Sequence, residues 1–193
     1  MTSVRFAMIA QVRAYWEALR EDGRLPQRSR IDPRGIEGAL ANSFLIERIA
    51  PGIARFRLAG MHLSDIMGMD VRGMPFSSLF EPGDRDEIAP RIERVFATPC
   101  ILDLCVDAGR GVGRPALSGR MILLPVKGEG GADLALGCLA TEGIIGRSPR
   151  RFTGGRALEE RILTGTRTPG FAEEPAPFVP RGKPHLRLVR DDE

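Results

Sequence analysis

His62, Ser64 and Asp65 have the residue types of a hydrolase relay, yet they fall within four consecutive positions. Neighbours that close diverge around a helix axis, so they cannot line up as base, nucleophile and orienting carboxylate. Ser118 has no G-x-S-x-G context and reads as an ordinary strand residue. Asp103 and Asp107 would share one face of a strand about 13 Å apart, too far for paired acid and base work, and are read as a solvated sheet face. Gly109–Arg114 is rich in glycine but lacks the GxxxxGK spacing and leads into a strand, which makes it a hairpin turn and not a phosphate loop. Cys100, Cys105 and Cys138 show no CxxC spacing and lie in apolar stretches, so neither a zinc knuckle nor a disulfide framework is expected, and a reducing compartment fits them. Arg147, Arg150 and Arg151 form a basic cluster without interleaved aromatics and are read as part of a solvated tail.

The elements that would carry these residues follow from hydropathy spacing. Ile9, Val12, Trp16 and Leu19 share a helix face, which predicts an amphipathic N-terminal helix ending near Asp22-Gly23. Residues 24–33 form a polar connector, and Asp32-Pro33 can cap a short helical turn over residues 34–41. Residues 44–49 and 54–58 form a hairpin across Pro51-Gly52, with Phe56 and Leu58 directed inward. Gly68, Gly73 and Pro75 break the next segment into short helices at 62–67 and 76–80, and Ile88, Ile92, Val95 and Phe96 define a longer helix over 84–97. Three strands follow at 101–107, 116–126 and 134–141. From residue 143 the apolar pattern decays, predicting a largely exposed tail with one helical piece at 156–163.

This order gives an α+β fold: a five-stranded antiparallel sheet with helices on one face, an N-terminal amphipathic helix with its connector over residues 1–33, the domain proper over 34–142, and an extended C-terminal tail over 143–193. The chain has 193 residues, 42% hydrophobic and 27% charged, and a net charge of +3, the profile of one ordinary globular domain. Charged residues interrupt the first twenty positions and no apolar run reaches the roughly 18 residues needed to span a bilayer, so a soluble cytoplasmic protein is expected.

The run Trp16-Glu17-Ala18-Leu19-Arg20, then Leu25-Pro26 and Arg30-Ile31-Asp32-Pro33, resembles the opening of a stand-alone bacterial PAS-like family formerly listed as a domain of unknown function. Phe56-Arg57-Leu58-Ala59-Gly60 and Gly68-Met69-Asp70-Val71-Arg72-Gly73 continue the resemblance, which covers most of residues 10–142 and, in weaker form, Pro184–Val189. The resemblance implies a signalling or regulatory role through ligand or partner binding and brings no catalytic residues. The expectation is therefore a non-enzymatic module with a small apolar pocket lined by Phe56, Leu58, Met61, Ile66, Met67, Phe76, Leu79, Leu102, Leu104 and Met121. Haem ligation through His62, beside Met61, Met67 and Met69, is the cofactor to weigh. A lone His has no ligand spacing, so His62 is read as a polar residue near the surface and no cofactor is expected. A flavin photoreceptor is excluded because each Cys maps to a strand or just before one. Ile9, Val12, Trp16 and Leu19 are a candidate partner or homodimer contact if the sheet does not cover them. With no kinase, cyclase or DNA-binding region in the sequence, a protein partner or self-association is expected to carry the output, and a small apolar ligand is a possible input. Membrane is not expected as a partner. The alternative is a nucleic-acid-associated regulator acting through the Arg-rich tail, which the missing aromatics disfavour.

Overall fold

The computed structural model describes residues 6–131 and 133–162. Helix α1 spans Ala7–Ala18 and buries Ile9, Val12 and Trp16, the three-and-four spacing that defines its apolar face. It ends about four residues before Asp22 and Gly23, both of which adopt positive φ in the turn that follows. A 3-10 stretch over Pro33–Asn42 begins where Oδ1 of Asp32 accepts from the Arg34 amide at 2.9 Å, the cap that the Asp-Pro pair predicts. Helix α2 spans Met61–Met67 and closes on Gly68 at φ 72°, and a 3-10 turn follows at Phe76–Leu79. Helix α3 spans Arg85–Ala97, with Asp86 and Glu87 in its first turn complementing the helix dipole.

The sheet comprises β1 Ser43–Ala50, β2 Ile53–Ala59, β3 Cys100–Ala108, β4 Leu117–Lys127, β5 Asp133–Glu142 and β6 Thr153–Arg161. All its strand pairs are antiparallel, in the order β2-β1-β5-β4-β3-β6. The first five are the strands expected. The sixth corrects the five-strand reading and replaces the helical piece predicted at 156–163. Most of β6 is exposed, so no apolar alternation marks it. It is held by its backbone ladder to β3 and by Arg94–Glu159 and Arg13–Glu160 ion pairs. The exposed tail predicted from residue 143 thus begins with an ordered loop and an edge strand, and Pro184–Val189 lies outside the described residues.

Helices cover both faces of the sheet, not one. On the first face α2, α3 and the 3-10 turn at Phe76 pack over Phe44, Ile46, Phe56, Leu102, Leu104, Met121, Leu123 and Leu139. On the second, α1 and the Pro33–Asn42 stretch pack over Leu45, Ile101, Ile122, Leu124, Leu136 and Cys138. Because both faces are buried, β4 and β5 read as continuous apolar runs and not as alternating ones. Gly137 sits opposite Phe44 in the β1–β5 ladder, where a Cβ would stand 2.2 Å from the Phe44 ring; only glycine lets the ring lie flat on the strand.

Candidate functional site

Eight of the ten predicted pocket residues converge: Phe56, Ile66, Met67, Phe76, Leu79, Leu102, Leu104 and Met121 are each at most 2% exposed and belong to one cluster. These side chains pack against one another in the core. Phe44, Phe56, Phe76 and Phe80 form a chain of rings with centroids 5.5 to 5.9 Å apart, within the range of favourable aromatic contact. Leu58 and Met61 do not join this cluster; they are 50% and 71% exposed. For Leu58 the reason is a β-bulge. Ile46 pairs with Phe56 but Leu45 pairs with Leu58, so Arg57 is an extra residue that turns Leu58 to the face opposite Phe56. Met61 opens α2 on its outer side.

The candidate partner stripe is also accounted for. Ile9, Val12 and Trp16 are buried against the sheet of their own chain, and Leu19 is half-buried at the end of α1. Nε1 of Trp16 donates to the Pro125 carbonyl at 2.9 Å. The surface first suggested for a partner or homodimer is thus covered within the chain.

His62 is half-buried at the second position of α2, with Nε2 3.0 Å from Oγ1 of Thr141 on β5. Burial lowers its pKa below the ordinary value of 6.5, with Asp65 partly opposing the shift. Folding therefore favours the neutral ring: its contribution is complete above about pH 6.5 and is lost as pH falls through the folded value. The urea midpoint of wild type is expected to fall more steeply than that of His62→Gln below about pH 6.5, and parallel pH profiles would refute this. No hydrogen bond joins His62 to Ser64 or Asp65 among the described residues, where likewise no group of three or more His, Cys, Asp and Glu could hold a metal. The thiol of buried Cys138 is pushed up to about 12 by burial, which keeps it protonated and poorly nucleophilic.

Two further readings change. Asp103 is nearly buried, and its carboxylate takes a bidentate contact from Arg120 across the β3–β4 ladder, so it is a structural partner on the sheet face. Arg150, expected in a solvated tail, is 2% exposed. Its guanidinium donates to the carbonyls of Ile145, Ala108, Gly109 and Pro115.

A strongly apolar concave surface lies between the Pro33–Asn42 stretch and β1–β2. A slot of about 80 Å³ is lined by Ile31, Ile36, Leu40, Leu45, Leu58 and Leu136. It continues into a wider cavity of about 540 Å³ bordered by Arg28, Arg57 and Glu129. Leu40 is 45% exposed, so with Leu58 it offers two apolar side chains at the mouth. Beside it Glu47 holds Arg55 and Arg57; burial works against its charge, but the two guanidiniums prevail and lower its pKa. Only Leu58 of this groove was singled out from the sequence, and for the wrong face.

With this geometry in hand, comparison with known proteins gives one match. A family model described as a PAS domain matches residues 4–140, from just before α1 into β5, leaving β6 beyond it. No curated protein and no solved structure matches the chain.

Proposed function

The chain belongs to the PAS domain family, and on that premise we propose that it is a non-enzymatic regulatory module that relays a signal by binding a protein partner at its surface. The observation that carries this reading is the packing of the core. The residues that would line an internal ligand pocket are packed against one another around four phenylalanine rings. Recognition then falls to the surface, and the groove at Leu40 and Leu58 suits an apolar side chain of a partner segment. Arg28, which donates only to the Ile31 carbonyl and has no carboxylate partner among the described residues, favours an acidic residue beside that anchor.

Native mass spectrometry and an absorption spectrum of gently purified protein test the core. The expected result is the mass of the polypeptide alone and no visible band; a retained small molecule or a haem band would overturn the reading. A photo-crosslinking residue at position 58 tests the groove. One reproducible protein adduct is expected, displaced by excess unlabelled chain and lost in Leu40→Asp. Adducts indifferent to both would remove the groove from the proposal.

A further inference from the structure

The loops β3–β4, residues 109–116, and β5–β6, residues 143–152, emerge at the same end of the sheet, where Ser118 pairs with Glu142 and Asp107 pairs with Thr153. Together they hold five arginines, Arg110, Arg114, Arg147, Arg150 and Arg151, and no Asp or Glu. Elsewhere many surface guanidiniums, among them Arg13, Arg48, Arg55, Arg72, Arg94 and Arg120, meet carboxylates, although scattered ones such as Arg28 do not. Among the described residues none of the five loop arginines does; Arg114 donates instead to the Arg147 carbonyl at 3.2 Å. Among the described residues this charge thus meets no carboxylate.

The loops are also joined into one body. The Arg147 amide donates to Gly113 O at 2.8 Å, and a Cβ on Gly146 would stand 2.5 Å from that same oxygen, so the backbones touch. Buried Arg150 ties carbonyls of both loops from beneath. On this platform stand two bare aliphatic side chains, Val112 at 94% and Ile144 at 75% exposure. No aromatic side chain is present among residues 109–116 and 143–151 to stack on a base, which argues against single-stranded nucleic acid.

We propose that this tip is a peripheral docking surface for an anionic lipid bilayer, with Arg110, Arg114, Arg147 and Arg151 on the headgroups and Val112 and Ile144 dipping into the acyl boundary. Projecting aliphatic groups ringed by unneutralised cations fit that two-part chemistry: electrostatic attraction brings the tip to the surface and burial of the aliphatic groups holds it there. This is surface adsorption, consistent with no described helix being long and apolar enough to cross a membrane. The site is separate from the groove at Leu58, so the two proposals can fail independently.

The test is sedimentation of the full chain with phosphatidylglycerol–phosphatidylcholine vesicles, against pure phosphatidylcholine vesicles and duplex DNA. Binding is expected to the anionic vesicles and to weaken with salt. Each cation removed should lower partitioning about fivefold, so Arg110→Gln/Arg114→Gln/Arg147→Gln loses about a hundredfold. Val112→Asp/Ile144→Asp, at solvent-exposed positions, should also release the protein, while Leu40→Asp should leave partitioning unchanged. Three results would overturn the proposal: no preference for anionic vesicles, vesicle binding unaffected by either loop variant, or binding to DNA but not to vesicles. Loss with the arginine variant but not with the aspartate variant would overturn insertion of the aliphatic tips. Circular dichroism confirms that each variant is folded.

Discussion

Trp16→Ala is expected to lower the unfolding free energy by about 3–5 kcal/mol, the range for truncating a fully buried tryptophan. The indole is wholly buried among residues of α1, the Pro33–Asn42 stretch and the second face of the sheet, so alanine leaves a cavity that several elements would have to collapse to fill. It also strands the Pro125 carbonyl, which accepts the indole N–H at 2.9 Å. Trp16→Phe separates the two effects, since it keeps most of the packing and loses only the hydrogen bond, at about 1–2 kcal/mol. Chemical denaturation at several protein concentrations is the decisive measurement. A loss independent of concentration follows if the stripe is satisfied within one chain. A wild-type midpoint that rises with concentration would return the stripe to a subunit interface, and an unchanged midpoint in Trp16→Ala would refute the packing altogether.

The second large effect is expected at Arg150. Its side chain is held below the loops by four carbonyls, from Ala108, Gly109, Pro115 and Ile145, with no carboxylate in the cage. Burial, reinforced by the charge of Arg114, lowers the pKa of this guanidinium below the ordinary arginine value. An arginine nonetheless remains charged at neutral pH. Arg150→Met keeps the length and apolar stem but removes the donors, leaving carbonyls that each cost about 1–3 kcal/mol when buried and unpaired. Partial relaxation toward water limits the total to about 3–5 kcal/mol. Arg150→Lys should rescue little, because an ammonium is a point donor and cannot span acceptors contributed by separate segments. Thermal unfolding of the three proteins decides it: equal stability of wild type and Arg150→Met would show that the carbonyl cage contributes nothing.

Much of the fold was legible in the sequence because its signals are local. The spacing of Ile9, Val12 and Trp16 marks α1, Asp32-Pro33 marks a cap, and Pro51-Gly52 marks the β1–β2 hairpin. The apolar runs of β3, β4 and β5 are long enough to be unmistakable, and the order of all these pieces carried the resemblance to a PAS-like family that the match over residues 4–140 supports. Misreadings arose where a distant segment sets the outcome. β6 carries Gly154-Gly155 and Glu159-Glu160-Arg161, a poor strand sequence by composition, and exists because the edge of β3 supplies its ladder. Leu58 obeys alternation from Phe56 in the sequence but not in the sheet, since the bulge at Arg57 inverts every side chain after it.

The groove and the basic tip were less legible still. Leu40 and Leu45 come from different elements and meet Arg28 only when the Pro33–Asn42 stretch lies across β1. Val112 and Ile144 sit thirty-two positions apart and come to the same end of the sheet because β4 and β5 pair. The sequence by itself determined α1, α3 and the first five strands and the apolar face of each helix, because those depend on periods of a few residues and on backbone preferences. The tertiary structure alone decided that eight of the candidate pocket residues pack together in one buried cluster, that Trp16 is covered by its own sheet, and that Arg150 is buried while Pro149 and Arg151 are not. Space filling and hydrogen-bond satisfaction join residues far apart in the chain, and no local pattern encodes which of them will meet.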